Sequence, residues 1–387
     1  MRVTHIITDL DTGGAEMMLF NLLAGFNRDT MDSRVISLTG PGVIGDRIGS
    51  LGVPVRYLGM KSGLPDPRGI ARLIKWLRED PPDLIQTWMY HSDLIGGLAG
   101  KFAGNIPVIW GIRNSTLDAQ HSKKSTIWTV KLCALLSHAL PRQIVTCSET
   151  ARKIHISLGY AANKMVVIPN GFRLDTFRPD PAARVSVREE LGLERDALLI
   201  GLIARFNPQK DHQNFVDAAK LVLNQFPAAH FLLCGEGITW ENPELAGWID
   251  QTGQAENFHL LNLRTDIPRL TAALDLAVSS SAYGEAFPQI VGEAMASAVP
   301  CVVTNVGDSL YVIDETGKAV PPRDSYALAN EIVGLLRLSP EQRSHLGQLA
   351  RMRIEDQFDI HSIVLKYEQL YRNELNKSVK PGIPANI

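Results

Sequence analysis

At 387 residues the chain has room for two or three domains of roughly 150 residues each. Its 45% hydrophobic and 21% charged content marks a folded globular protein, and four cysteines scattered singly (Cys133, Cys147, Cys234, Cys301) exclude a disulfide scaffold or a paired-cysteine zinc site. The net charge of −2 hides an asymmetry, because residues 1–178 carry 21 Lys+Arg against 14 Asp+Glu (+7) and residues 179–387 carry 18 against 27 (−9).

In chain order, residues 3–8 read as a strand that runs toward a glycine pair, and 15–26 have helical spacing. Strands follow at 35–38 and 53–58, a helix at 70–78, and strands at 84–87, Val108–Ile112, 144–147 and 166–168. The stretch 178–196, with Pro179-Asp180-Pro181 and a charged run, reads as a linker. The pattern then restarts with a strand at 198–204, a helix at 211–226, strands His230–Cys234 and Phe258–Leu261, and a helix at 267–274. Strand Leu276–Ser279, a helix at 289–298, strand Cys301–Thr304 and a last helix at 360–375 complete it. Short apolar strands between helices imply parallel sheets, and the restart implies two doubly wound, Rossmann-like α/β domains facing a central cleft. The expected divisions are 1–178, 179–358 and 359–387. No run of about 18 uncharged apolar residues suggests a membrane span. The opening residues meet an acid at Asp9, too early for a secretory leader, so the expected compartment is the cytoplasm, with reduced thiols.

Three segments carry candidate chemistry. In Ser280-Ser281-Ala282-Tyr283-Gly284-Glu285-Ala286-Phe287-Pro288-Gln289, a strand ends in a small-residue loop and a helix begins near Pro288. Free N–H groups and a positive dipole end there suit an anion. Glu293 lies two turns further in, too deep to be a cap. In Arg205-Phe206-Asn207-Pro208-Gln209-Lys210, a strand delivers a cation and a turn delivers a second one just before a helix, a spacing that suits a diphosphate. In Asp9-Leu10-Asp11-Thr12-Gly13-Gly14, two glycines let a backbone approach a ligand closely. Asp9 and Asp11 have the spacing of metal-dependent sugar-nucleotide sites, a short match that chance supplies often. No GxGxxG, Walker, HExxH or GxSxG pattern is present.

Gly13-Gly14-Ala15-Glu16, Ile168-Pro169-Asn170-Gly171-Phe172, Ala204-Arg205 with Lys210, and Glu285 with Glu293 occur together and in order. In this combination the chain resembles the retaining glycosyltransferases of family 4, which have the GT-B fold, over nearly its whole length. The resemblance implies that Glu285 lies against the transferred sugar, that Glu293 accepts from nucleotide ribose hydroxyls, and that Arg205 and Lys210 hold the diphosphate. Gly13, Gly14, Phe287, Pro288 and Gln289 then belong to donor binding, and His91, Arg113 and Asn114 to the acceptor side. It implies no metal and no cofactor, the UDP-sugar being a substrate. It departs from the family pattern where 111–115 lacks a histidine, where Gln289 stands for Asn, and where Arg173 stands for Asp.

The expected activity is metal-independent hexosyl transfer with retention, from a UDP-sugar to a glycan or lipid-linked acceptor in bacterial surface-polysaccharide or lipopolysaccharide synthesis. The alternatives are a UDP-sugar epimerase of the same architecture and a catalytically silent sugar-nucleotide-binding subunit. No nucleic-acid partner is expected. Nine cations lie between Lys101 and Lys164 against Asp118 and Glu149, and residues 125–140 carry Ile127, Trp128, Val130, Leu132, Leu135 and Leu136 between Lys123, Lys124, Lys131 and Arg142, an amphipathic pattern with cations along its edge. Two readings stay open there, a buried core helix edged by plain solvated charge and a peripheral contact with an anionic membrane at its inner face.

Overall fold

The computed structural model describes residues 1–11, 13–61, 66–114 and 124–377. Thr12, Ser115, Asp118, Lys123 and the Pro- and Gly-containing tail lie outside the described residues. The chain divides into two compact units. One is Met1–Gly171 together with the last helix, Ile360–Asn376, and the other is Phe172–Asp359. The divisions fall at Gly171 and Asp359, the first of them earlier than position 178.

The first unit holds seven strands: β1 (Arg2–Ile7), β2 (Asp32–Ser37), β3 (Val55–Tyr57), β4 (Leu84–Trp88), β5 (Val108–Ile112), β6 (Gln143–Thr146) and β7 (Met165–Val167). They form one parallel sheet in the order β3-β2-β1-β4-β5-β6-β7, with Ile6 of β1 opposite Ile36 on one side and Thr87 on the other. β4 and β5 are buried along their whole length, as strands covered on both faces must be. The second unit holds β8 (Leu199–Ile203), β9 (His230–Cys234), β10 (Phe258–Leu261), β11 (Leu276–Ser279), β12 (Cys301–Thr304) and β13 (Lys318–Val320). These form a second parallel sheet in the order β10-β9-β8-β11-β12-β13.

Some helices leave little signal in the sequence, for identifiable reasons. Tyr90–Gly104 contains Gly96, Gly97 and Gly100, which weaken any helix signal. Side chains there would come within 2.6, 2.9 and 2.7 Å of Thr87, Trp110 and Val108, so the glycines let this helix lie close on the sheet. The stretch read as a linker is in fact a helix, Pro181–Leu191. The Asp180 carboxylate accepts from Ala183 N at 3.0 Å, Pro181 starts the first turn, and Gly192 ends it at φ 70°. Its buried Arg188 donates to Asp275 Oδ2 and Ala273 O, both at 2.7 Å, which turns an apparently solvated charge into a docking point.

The last helix belongs to the core of the first unit. Ile360, Ile363, Val364, Tyr367 and Tyr371 are buried among Val3, Met18, Leu22 and Trp88. Gly25 leaves room for Val364, whose Cγ2 would be 2.7 Å from an added Cβ.

Candidate active site

In an open parallel sheet, ligands bind beyond the carboxyl ends of the strands where the strand order reverses. That reversal lies between β1 and β4 in the first unit and between β8 and β11 in the second. Arg205 and Lys210 follow β8, while Glu285, Phe287, Pro288, Gln289 and Glu293 follow β11, so the second unit gathers them at one switch point. Gly13 and Gly14 follow β1 and His91 follows β4, at the switch point of the first. Arg113 and Asn114 follow β5, one strand further along.

In the second unit the two loops are stitched together through their backbones. Ala282 N donates to Gln209 O at 2.8 Å, and Ser280 Oγ donates to Lys210 O at 2.7 Å. Asn207 Oδ1 holds the turn by accepting from Gln209 N at 2.9 Å. Asp211 then takes a left-handed φ of 50° and caps helix His212–Leu223 through Asn214 N at 3.3 Å. A non-glycine residue in that region is strained, and the turn it fixes is the one that presents Lys210. Lys210 Nζ pairs with Glu285 Oε1, which also accepts from Ser281 Oγ at 2.8 Å. Glu285 is 8% exposed, so its carboxylate is largely removed from water, while Lys210 is half-buried. Arg205 is exposed, and among the described residues its guanidinium has no hydrogen-bond or ion-pair partner.

Helix Gln289–Ala296 begins after Pro288, which stands at the cap position rather than in the first turn and supplies no side-chain acceptor. A helix start without a side-chain cap is the kind of terminus whose dipole favours an anion. The Phe287 ring packs 6.0 Å from Phe172 and 5.4 Å from Phe358, centroid to centroid, so only its backbone faces the loop. Burial pushes the Glu293 carboxyl up to about 8, against the opposing hydrogen bond from Gln289.

Ser281, legible in the sequence only as part of the loop, and Gly307, which no motif singles out, also build this site. Gly307 has φ 62°, and an added Cβ would lie 2.0 Å from Glu285 O. The available signal was a Gly-Asp pair in the loop after β12, next to the switch point.

In the first unit Gly13 caps helix Gly14–Gly25 with extended backbone and no side-chain acceptor. A Cβ on Gly13 would meet the Glu16 carboxylate at 2.2 Å, whereas Gly14 faces open space. Asp11 N donates to Asp9 Oδ1 at 3.4 Å, a turn contact. Among the described residues no group of three or more His, Cys, Asp and Glu side chains converges as a metal site. Met89 has φ 72° at the start of helix Tyr90–Gly104, whose second residue is His91. Behind it, buried Asp93 accepts from Thr87 Oγ1 at 2.5 Å and Gly111 N at 3.1 Å, and burial raises its carboxyl to about 7. Arg113 donates to Asn170 Oδ1 at 3.0 Å and to Tyr367 Oη, with its guanidinium 4.4 Å over the Trp88 ring. Arg113 thus braces the last helix against the sheet, and Asn114 beside it is exposed.

Two family models match the chain. "Glycosyltransferase Family 4" covers residues 12–176 and "Glycosyl transferases group 1" covers residues 197–337. A UDP-Gal:alpha-D-GlcNAc-diphosphoundecaprenol alpha-1,3-galactosyltransferase of Escherichia coli is 25% identical over 314 residues, 80% of each chain. The putative glycosyltransferase EpsF of Bacillus subtilis is 26% identical over 79% of each. Among solved structures, Anabaena HepE in complex with UDP-glucose superposes with a TM-score of 0.84 at 22% identity, over 96% of this chain and 99% of its own, which shows a shared GT-B fold.

Proposed function

Because the chain belongs to the family 4, group 1 glycosyltransferases, we propose that it transfers a hexosyl group from a UDP-sugar, with retention and without a metal, to a lipid-linked or glycan acceptor in bacterial surface-polysaccharide synthesis. The observation that carries this reading is the switch point of the second unit, where exposed Arg205, the Lys210–Glu285 pair and an uncapped helix start converge. The E. coli relative supplies the acceptor class, since its name specifies a diphosphoundecaprenol-linked sugar. The HepE complexes supply the nucleotide.

In the proposed reaction the glycosidic bond of the donor breaks with its electron pair passing to the leaving diphosphate. The acceptor oxygen forms the new bond to the anomeric carbon on the same face, and its proton passes to a diphosphate oxygen. Arg205, Lys210 and the amides at the start of Gln289–Ala296 stabilise the charge that grows there, the kind of term that dominates such catalysis. Glu285 meets the sugar and Glu293 the ribose. In the first unit, the Gly13-Gly14 loop admits the donor phosphates, and His91 and Asn114 face the acceptor. A lipid-linked acceptor brings the protein to the inner face of the membrane. No helix among the described residues is long and apolar enough to cross one.

The test is incubation with UDP-glucose, UDP-galactose and UDP-N-acetylglucosamine in EDTA, with and without a polyprenyl-diphosphate-linked sugar, followed by NMR of the product. The expected result is an α-glycoside formed only with acceptor. An epimerised donor without acceptor establishes the epimerase. A β-linked product, or an absolute need for added magnesium or manganese, removes the retaining or the metal-free part of the reading.

A further inference from the structure

Helix Lys124–Leu136 carries apolar side chains on two opposite sides, and among the described residues protein covers only one of them. Val130, Cys133 and Ala134 are buried in the core beside Tyr90, Ile95, Trp110 and Tyr160. On the opposite side Trp128 is 73% exposed, Leu132 43% and Leu135 71%. At about 100° per residue, Lys124, Trp128, Lys131, Leu132 and Leu135 fall within one arc of roughly 100°. Lys124 and Lys131 are exposed and have no carboxylate partner among the described residues. Lys131 Nζ stands 5.8 Å from the Trp128 ring centroid. The adjacent helix Tyr90–Gly104 adds Phe102, 61% exposed.

The charge on this face survives a comparison with the rest of the basic stretch. Arg152 pairs with Glu149, Lys164 is tied to the carbonyls of Ser137, His138 and Pro141, Arg142 donates to Glu374 O, and Arg113 is held by Asn170 and Tyr367. Local structure therefore accounts for those four cations. Lys101 donates to Asn105 Oδ1 at 3.1 Å and Lys123 lies outside the described residues, which leaves Lys124, Lys131 and the exposed Lys153 of helix Glu149–Ser157; of these, Lys124 and Lys131 share the arc with the exposed apolar side chains.

We propose that this arc is the surface through which the protein docks on an anionic lipid bilayer, with Trp128, Leu132 and Leu135 entering the headgroup boundary and Lys124 and Lys131 meeting lipid phosphates. An apolar stripe with lysines along it and an indole at its centre fits that boundary, where one side is greasy and the other wet and negative. The low cation number makes the contact reversible and salt-sensitive, since each lysine contributes modestly and is screened. The proposal deepens the reading of a lipid-linked acceptor and rests on it only for its purpose. Docking is measurable with no nucleotide or acceptor present.

The test uses the full chain with vesicles of phosphatidylcholine alone and of phosphatidylcholine mixed with phosphatidylglycerol. Co-sedimentation with the anionic vesicles alone is expected at low salt, falling as salt rises. Lys124→Ser with Lys131→Ser weakens partitioning roughly tenfold or more, and Trp128→Ser with Leu135→Ser weakens it at least as much. Both variants keep the melting midpoint of the parent and its turnover of a detergent-dispersed acceptor. Trp128→Phe, which keeps an apolar ring, retains binding and loses the part of the tryptophan quenching that brominated lipid produces in the parent. Equal binding to neutral and anionic vesicles, or unchanged binding in both double variants, overturns the proposal. So does a parent dimer that Trp128→Ser with Leu135→Ser converts to monomer while vesicle binding persists, since the occupant is then a second copy. Vesicle docking without any transfer sinks the functional reading and leaves this one standing.

Discussion

Arg205 and Lys210 share one turn but meet the solvent in different states, and their substitution should separate accordingly. Arg205 is exposed and has no partner among the described residues, so Arg205→Ala is expected to lower kcat/KM about 100-fold, the usual loss for one preorganised donor to a developing anion. Its melting midpoint should match the parent. Lys210→Ala should cost as much in turnover and also lower the midpoint, because it strips the cation from a carboxylate that is 8% exposed. Steady-state kinetics beside calorimetry decide this, and equal midpoints for the two variants would show that the Lys210–Glu285 pair is structurally idle. Glu293 gives a pH signature. Its carboxyl titrates near 8 in the fold and near the ordinary glutamate value in the unfolded chain, so the folded state holds the proton more tightly. The contribution is full below the ordinary carboxyl range and is lost as pH rises through about 8. Glu293→Gln cannot ionise, so it should lose less thermal stability than the parent between pH 6 and pH 9. Parallel melting curves across that range would remove the shift. Weakened UDP binding in the same variant, with turnover at saturation less affected, would fit a ribose contact made in ground and transition states alike.

The loops after β11 and β12 meet at Gly307, and that contact decides how much of the site a single methyl group can disturb. An Ala side chain there is strained at φ 62° and falls 2.0 Å from Glu285 O. Gly307→Ala should therefore displace the loop that presents Glu285 and reduce kcat by more than its loss of stability explains; a variant with parental kcat would show that the loop tolerates the shift. The strand skeleton around this loop was legible in advance because buried parallel strands are short apolar runs closed by turn residues. His230–Cys234, Phe258–Leu261, Leu276–Ser279 and Cys301–Thr304 have the bounds read from sequence. The loops bearing Arg205, Lys210 and Glu285 were legible because they must follow such strands. Tyr90–Gly104 was not, since its glycines act through packing rather than propensity. Nor was the fate of Arg113, whose partner Tyr367 lies 254 residues away. No spacing rule links them, and only the fold shows that this cation is committed to the last helix.

The first unit is discontinuous in sequence, because its core closes only when Ile360–Asn376 arrives. Ile360, Ile363, Val364, Tyr367 and Tyr371 are each no more than 5% exposed. At about 1.5–3 kcal/mol per buried side chain, these five contribute roughly 8–15 kcal/mol as an upper bound. That matches the whole net stability of a typical domain, about 5–15 kcal/mol. The helix also supplies Tyr367 Oη to Arg113 and the Glu374 carbonyl to Arg142, at 3.0 Å in the second case. A fragment of residues 1–171 should therefore fail to fold alone, because losing the helix uncovers Trp88, His5 and Phe26 and leaves Arg113 short of a partner. The second unit is continuous from Phe172 to Asp359 and has its own core around Phe215, Phe231 and Ile332. It should unfold cooperatively as an isolated fragment and retain UDP binding, since Arg205, Lys210, Glu285 and Glu293 all belong to it. Urea titration by circular dichroism of each fragment, then of 1–171 mixed with a peptide of residues 360–376, tests the division. A cooperative transition for 1–171 alone would mean that the last helix is an addition to a finished core. Restoration of that transition only by the peptide would make it the segment whose arrival completes the first unit, after the second has been synthesised.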